Sequence, residues 1–424
     1  MKSFKYALIT CFWAIAVTLA ARAGELPQAP PDEVGIASAK LEGANAVIKD
    51  MIKKKQTAGV VSLVARRGKI VALDAAGMMD IEAGKPMQLD TIFRIYSMTK
   101  PITTVAAAIL WEEGRFQLDD PVSKYLPEFK DLHVYAGNGS APASLKREVT
   151  IRDLMRHTSG LTYGLFGTTA VDQMYIKSKM LDPKCSLSEM VTKLHTIPLL
   201  YQPGTRFNYG VSTDVLGRLV EAISGKTLDE FFQTRILTPL DMKDTGFFVP
   251  EEKMARFATN YTPDEKTGLK VMDAPATSAY RARPKLLSGG GGLVSTARDY
   301  ARFCQMLLNG GELEGTRLLH KETVQQMTSN QLPAEAMPIS MGPLKRAGVG
   351  FGLGFSVRVA KTAGEPGADR VGEYGWGGYA STHFWISPRD ELFVVLLQQY
   401  TPFTPRLEAA VKPIIYDAIV NGAN

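Results

Sequence analysis

The chain has 424 residues, 45% hydrophobic and 22% charged, the balance of a soluble globular protein with length enough for about two or three structural units. Its 49 Lys and Arg stand against 43 Asp and Glu, a formal charge of +6, but Lys2, Lys5 and Arg22 belong to a segment expected to be removed, leaving 46 against 43. So small and scattered a surplus argues against a nucleic-acid partner.

That segment, residues 1–23, reads as a secretory signal peptide. Lys2 and Lys5 are followed by a mostly apolar run from Tyr6 to Ala20 and by Ala21-Arg22-Ala23, a small-x-small cleavage site before Gly24. The run is short of the roughly 20 residues of a spanning helix; an uncleaved anchor is the alternative, and no other stretch could span a bilayer. Export to the periplasm or the medium is therefore expected. With the leader gone, Cys185 and Cys304 are the remaining cysteines. They could pair in an oxidising compartment, but Cys304 falls in an apolar helical pattern, which favours a buried thiol. The five histidines show no metal spacing, and neither a metal nor a cofactor is expected.

Residues 24–36 are a Pro-rich lead-in. From Ser38, a good N-cap, Leu41, Ala44, Ile48, Met51 and Ile52 recur at helical spacing, and Lys53-Lys54-Lys55 suits the helix C-terminus. Gly59–Ala65 and Lys69–Leu73 flank Arg66-Arg67-Gly68, a β-hairpin signal. A further extended piece, Thr91–Ile95, leads into a helix carrying Ile102, Val105, Ala106, Ile109 and Leu110, with Pro101 in its first turn and Gly114 beyond its end. Residues 115–280 read as helices and loops, with helices at 150–157, 186–196 and 212–224. From 288 the texture changes. Ser288-Gly289-Gly290-Gly291-Gly292 precedes a helix from Ser295 through Leu308, strand patterns cover 349–359, 373–386 and 392–398, and a last helix runs from about Pro405 to Val420. Strands at both ends with helices between predict one sheet built from both termini, about 37–96 and 285–424, interrupted by a helical part at about 97–284.

The chemistry gathers on Ser97-Met98-Thr99-Lys100, where the extended run becomes the helix. Residues three apart in a helix share a face, so Ser97 has a candidate proton acceptor one turn away. An acylated serine needs a base, a proton relay to the leaving group, oxyanion donors and access for substrate. Lys100 is the candidate base. Tyr209, on the turn Pro203-Gly204-Thr205-Arg206-Phe207-Asn208-Tyr209 just before a helix, is the candidate relay, because a phenol both donates and accepts. Glu373-Tyr374-Gly375-Trp376-Gly377-Gly378-Tyr379 is a strand pattern broken by glycines, which mark either a ligand approaching the backbone or a bulge.

In this order, Ser97-x-x-Lys100, His157-Thr158-Ser159-Gly160-Leu161, Tyr209 and Trp376-Gly377-Gly378 resemble the serine β-lactamase and penicillin-binding-protein superfamily. The chain is most similar to its class C-like esterase branch, the family VIII carboxylesterases. The resemblance runs from about 30 to 420 and includes Asp214-Val215-Leu216-Gly217 and Gly290-Gly291-Gly292-Leu293-Val294-Ser295-Thr296. It implies an α+β fold, an antiparallel sheet flanked by helices plus a helical region, with the cleft between. It further implies Ser97 as nucleophile, Lys100 and Tyr209 as the acid/base pair, the N–H groups of Ser97 and Tyr379 as oxyanion donors, and Trp376-Gly377-Gly378 along the cleft.

Two departures bear on substrate. The β-lactamases place asparagine two residues after the tyrosine, where this chain has Val211; their Lys-[Ser/Thr]-Gly becomes Trp376-Gly377-Gly378. Both changes remove polar recognition and point to neutral, apolar esters. Lys361-Thr362-Ala363-Gly364 imitates the missing triad with one residue too many and reads as a loop. Gly225-Lys226-Thr227 imitates a phosphate loop without its first glycine, Val220 standing there. No Gly-x-Ser-x-Gly occurs, against an α/β-hydrolase. His157 and His383 read as structural. The expected function is a serine esterase on small substrates. A β-lactamase or D-amino-acid-specific peptidase is the alternative, and a non-catalytic binding protein a third reading; oligomeric state is left open.

Overall fold

The computed structural model describes residues 25–137, 140–342, 344–362, 367 and 369–420. The proposed leader and the Ala363-Gly364 half of the false triad lie outside them. The first helix, α1 (Ser38–Lys53), buries Leu41, Ala44, Ile48 and Met51 as their spacing predicts. Its N-cap is Ala37 rather than Ser38, because the Ser38 hydroxyl turns back to donate to Asp32 at 2.5 Å. The predicted hairpin follows as β1 (Gly59–Arg66) and β2 (Lys69–Asp80), the second strand running past Leu73 to Asp80. A short β3 (Lys85–Pro86) pairs with β2.

The C-terminal half supplies β4 (Val349–Phe351), β5 (Ser356–Arg358), β6 (Tyr374–Gly377), β7 (His383–Ser387) and β8 (Leu392–Gln398). The sheet has eight strands in the order β4-β5-β6-β7-β8-β1-β2-β3, and each neighbouring pair is antiparallel. The two ends of the chain meet where β1 lies against β8, Leu63 opposite Val395. Two stretches read as single strands are hairpins. In 349–359 the chain turns at Gly354, with φ +91°, where a Cβ would fall 2.4 Å from Thr104 Oγ1. In 373–386 it turns between Gly378 and Thr382, whose backbones are bonded at 2.8 Å.

Every residue of β1 is buried, the mark of a strand covered on both faces. Val60 and Val64 point to one side, into a core with α1, Trp385, Val394, Leu396 and the last helix, α5 (Arg406–Asp417). Val61 and Leu63 point to the other, into a larger core shared with α2 (Thr99–Glu112), α3 (Ser212–Ser224) and α4 (Ala297–Leu308). The helices expected at 150–157 and 186–196 are Ile151–Met155 and Leu187–His195, each opened by a capping box, on Thr150 and Ser186. The helix Ala170–Lys177, the hairpin Asn260–Asp264 with Gly268–Asp273, and the helix Lys321–Met327 carry apolar periods too short to read from sequence. Cys185 and Cys304 are free thiols, Cys304 fully buried on α4. Among the described residues, no helix is long and apolar enough to cross a membrane.

Candidate active site

Ser97 sits one step before the position its sequence suggests. Tyr96–Met98 form a 3-10 turn and α2 begins at Thr99. Tyr96 has φ +41°, a conformation that costs a non-glycine residue about 1–3 kcal/mol and persists only where the surroundings hold it. They do so on both sides of the serine. Upstream, Phe93 and Arg94 pair with Ser295 and Val294. The buried Arg94 side chain donates to Asp273 at 2.7 Å and to the Ala258 carbonyl at 2.6 Å, its guanidinium 4.0 Å from the centre of the Phe257 ring. Downstream, Tyr300 donates to the Met98 carbonyl at 2.9 Å and the Leu293 N–H donates to Thr99 Oγ1 at 3.1 Å.

Lys100, fully buried, places its Nζ 3.1 Å from Ser97 Oγ, 2.9 Å from Tyr163 OH and 2.7 Å from the Gly290 carbonyl. The carbonyl can only accept, whereas the two hydroxyls can each donate or accept. An ammonium therefore donates to all three. A neutral amine donates to Gly290 and Tyr163 and receives the Ser97 proton on its lone pair. Both protonation states are satisfied without movement, which is what a base that takes and returns a proton requires.

The glycine-rich stretch thus has a role that its composition did not reveal. Gly290 N–H donates to Asp214 Oδ1 at 3.0 Å, and the Ser288 hydroxyl donates to the same oxygen. A Cβ on Gly290 would lie 2.4 Å from Asp214 Oδ2 and 3.0 Å from Tyr163 OH; only glycine lets the loop pass between carboxylate, phenol and amine. Burial raises the Asp214 carboxyl above its ordinary range, opposed by the charge of Lys100 and the Ser288 hydrogen bond. The buried Tyr163 phenol is pushed well up, first by burial and then by Asp214 and Tyr209. The sequence assigns no site role to Tyr163 or Asp214, although Asp214 opens a quoted motif and Tyr163 stands two residues beyond Leu161 of another.

Tyr209 offers Lys100 its ring, whose centre is 4.6 Å from Nζ, and its hydroxyl accepts from Trp376 Nε1 at 3.2 Å. Trp376 therefore does more than wall the cleft: it orients the candidate relay, ring to ring at 5.3 Å. His157 is structural in contact, packed against Phe207, Tyr209 and Phe351. Burial, with the charge of Lys100, holds its imidazole well below the usual range and so neutral. His383 faces α5, its Nδ1 3.2 Å from Glu408.

Gly377 and Gly378 bring β6 against the nucleophile segment. A Cβ on Gly378 would fall 2.2 Å from the Ile95 carbonyl and 2.4 Å from Thr382 Oγ1. Gly378→Ala is accordingly expected to cost about 1–3 kcal/mol of stability and at least about tenfold in kcat/KM, read by thermal unfolding and ester hydrolysis; an undisturbed variant would show that the contact is dispensable. Among the described residues, neither the Ser97 N–H nor the Tyr379 N–H donates to a backbone carbonyl, so both are available to an oxyanion. Tyr379 stands edge-on to Tyr96 at 5.8 Å.

A cavity of about 890 Å³ opens at Ser97, lined by Tyr163, Phe166, Tyr209, Tyr280, Trp376 and Phe403 among others, with Gly377, Gly378 and Tyr379 on one wall. Val211, expected to face substrate, does not reach it. It is the N-cap of α3 and fully buried in the core, because the chain has already turned inward two residues after Tyr209.

The sequence model of the β-lactamase family matches residues 44–413. Protein Rv1367c of Mycobacterium tuberculosis is 36% identical over 370 residues, 85% of this chain and 90% of that one. Esterase EstB of Burkholderia gladioli is 30% identical over 392 residues, 88% of this chain and 94% of EstB. Among solved structures, EstCE1, described as a hydrolase with promiscuous acyltransferase activity, superposes with a TM-score of 0.76 at 27% identity, covering 89% of this chain and 99% of its own. A Ser-Lys pair at an aromatic cavity, the lysine buried and the serine on the cavity floor, on an antiparallel sheet assembled from both ends of the chain, agrees with these matches: the chain belongs to the β-lactamase family and is a serine hydrolase of its esterase-like branch.

Proposed function

We propose that the protein cleaves neutral, apolar carboxylic esters through an acyl-enzyme on Ser97. The observation that carries this reading is the 3.1 Å approach of Lys100 Nζ to Ser97 Oγ at the floor of an apolar cavity. Ser97 Oγ attacks the ester carbonyl and its proton passes to the neutral Lys100 amine. The carbonyl electron pair moves onto oxygen, received by the Ser97 and Tyr379 N–H groups. As the tetrahedral intermediate collapses, the ester C–O bond breaks and the leaving alkoxide takes a proton through Tyr209. Water then attacks the acyl-enzyme by the reverse route and releases the acid.

The substrate class follows from what lines the cavity beyond Ser97. By the resemblance, Trp376 and Gly377 stand where a cation and a hydroxyl would grip a carboxylate, and an indole there favours apolar, uncharged groups. The leader at residues 1–23 adds the proposal that hydrolysis takes place outside the cytoplasm.

The test is a panel of short-chain aryl and alkyl esters, a chromogenic cephalosporin and a D-alanyl peptide, run beside labelling by an aryl phosphonate. The expected result is ester turnover above every amide, with the phosphonate mass found on Ser97 in the digested protein. A cephalosporin or peptide cleaved faster than every ester would overturn the substrate assignment; a label on any other residue would overturn the mechanism.

A further inference from the structure

The mouth of the cavity is built like a surface that is meant to be covered. Leu165, Phe166, Leu181 and Leu344 both line the cavity and face solvent, Leu165 at 73% exposure. The excursion 165–184 leaves the rim at Phe166 and returns to it at Leu181 and Pro183. Between them runs the helix Ala170–Lys177, which turns Val171 and Tyr175 into the core and leaves Met174 and Ile176 exposed at 44% and 52%. The hairpin Ser340–Met341 and Leu344–Lys345 stands against the start of the excursion: a Cβ on Gly342 would lie 3.6 Å from the Phe166 carbonyl and 3.8 Å from Phe166 Cβ. Apolar residues scattered singly need no explanation, but a run of them around a cavity entrance marks a place of contact.

Charge indicates what makes that contact. Lys177, Lys179, Lys184 and Lys345 are exposed on these two segments, and among the described residues none of them forms an ion pair. Arg281, Arg283 and Lys285, also near the cavity in sequence, are each neutralised, by Glu251, Asp229 and Glu189. The excursion's own carboxylates are engaged locally. Asp172 is buried and accepts from Thr162 and Thr169, and Asp182 accepts the Lys184 N–H. What faces outward is therefore apolar side chains among four exposed lysines, which outnumber the two carboxylates of these segments, Asp182 and the buried Asp172. Such a face suits the boundary layer of an anionic lipid surface, apolar groups among the acyl chains and ammonium groups at the phosphates.

We propose that the mouth formed by 165–184 and the 340–345 hairpin docks on an anionic lipid surface, so that apolar esters enter the cavity from the lipid rather than from water. The entry of esters from the lipid rests on the ester reading, whereas the docking itself does not. Vesicle binding is measured without turnover, so the failure of one is distinguishable from the failure of the other.

The test uses the full chain and two sets of variants outside the cavity lining, Met174→Gln with Ile176→Gln, and Lys177→Glu with Lys179→Glu and Lys345→Glu. Each is sedimented with vesicles of phosphatidylcholine alone and of a phosphatidylcholine–phosphatidylglycerol mixture. The parent is expected to partition onto the mixed vesicles and each variant set to lose at least about tenfold of that partitioning. Both sets are expected to keep parental kcat/KM on a water-soluble acetate ester and to lose rate on a long-chain ester carried in the mixed vesicles. A parent that stays in the supernatant overturns the proposal. Variants that bind as well as the parent also overturn it, since the apolar run Tyr6–Ala20 alone would then account for binding. So does a parent that is dimeric by light scattering and is made monomeric by Met174→Gln with Ile176→Gln, which would assign the face to a second copy of the chain.

Discussion

Ser97→Ala and Lys100→Ala are each expected to lose at least about 10⁴-fold in kcat/KM on a short-chain aryl ester, and the double variant is expected to be no worse than either. The reason is the shared proton. In the proposed mechanism the Ser97 proton passes to Lys100 Nζ, 3.1 Å from Ser97 Oγ, so without the amine the proposed acceptor is missing as the C–O bond forms, and without the hydroxyl the amine has nothing to deprotonate. Groups that act as one unit fail together. The two variants differ in their structural cost. Ser97→Ala removes one small polar atom at the cavity floor. Lys100→Ala leaves the Gly290 carbonyl and Tyr163 OH, partners at 2.7 and 2.9 Å, facing an apolar gap, for which about 1–3 kcal/mol of stability is expected to go. Thermal unfolding separates that loss from the chemical one, and phosphonate labelling of the Lys100→Ala protein reports whether Ser97 is still presented. Additive losses in the double variant would show that the two residues work in separate steps.

What could be read from the sequence and what could not divide along contact range. Ser97 and Lys100 are three apart, a spacing that brings them together in the 3-10 turn and the first turn of α2. The strands of both ends were legible because their apolar runs are long, though not where glycine breaks them: Gly354 and Gly378 turn the chain at points that composition cannot tell from a bulge. Tyr163 escaped because its value lies in a contact made across 63 positions, with Lys100. Gly290 escaped because a backbone carbonyl has no sequence signature, and Asp214 because its partner is that same loop. At Val211 proximity misleads. Its neighbour Tyr209 faces the cleft, but the start of α3 turns the chain into the core before the valine is reached. Substrate preference was inferred from the loss of polar groups at Val211 and at Trp376. With Val211 buried, the inference rests on Trp376 and on the aromatic lining of the cavity.

Tyr209→Phe and Tyr163→Phe are expected to separate according to the leaving group, because the two phenols stand in different relations to the reacting atoms. Tyr209 is proposed to protonate the departing alkoxide. An alkyl alcohol leaves poorly as an anion and needs that proton in the transition state, whereas a nitrophenolate leaves without it. Tyr209→Phe should therefore cost about 10³-fold in kcat/KM on an alkyl ester and only about tenfold on the p-nitrophenyl ester of the same acid. Tyr163 touches Lys100 and lies beside Asp214, and it is proposed to act through the base as a positioning residue. Its loss slows deprotonation of Ser97 whatever leaves afterwards, so Tyr163→Phe should cost about 10²-fold on both esters alike. Because kcat/KM reports the steps up to acylation, a slow hydrolysis of the acyl-enzyme does not blur the comparison. Trp376→Phe supplies the link between these results. It keeps an aromatic wall but removes the Nε1–H that Tyr209 OH accepts at 3.2 Å, and it should reproduce the leaving-group pattern of Tyr209→Phe at smaller amplitude. If the losses of Tyr209→Phe were equal for both esters and those of Tyr163→Phe depended on the leaving group, the relay would belong to Tyr163, and Tyr209 would become the residue that positions Lys100 through its ring.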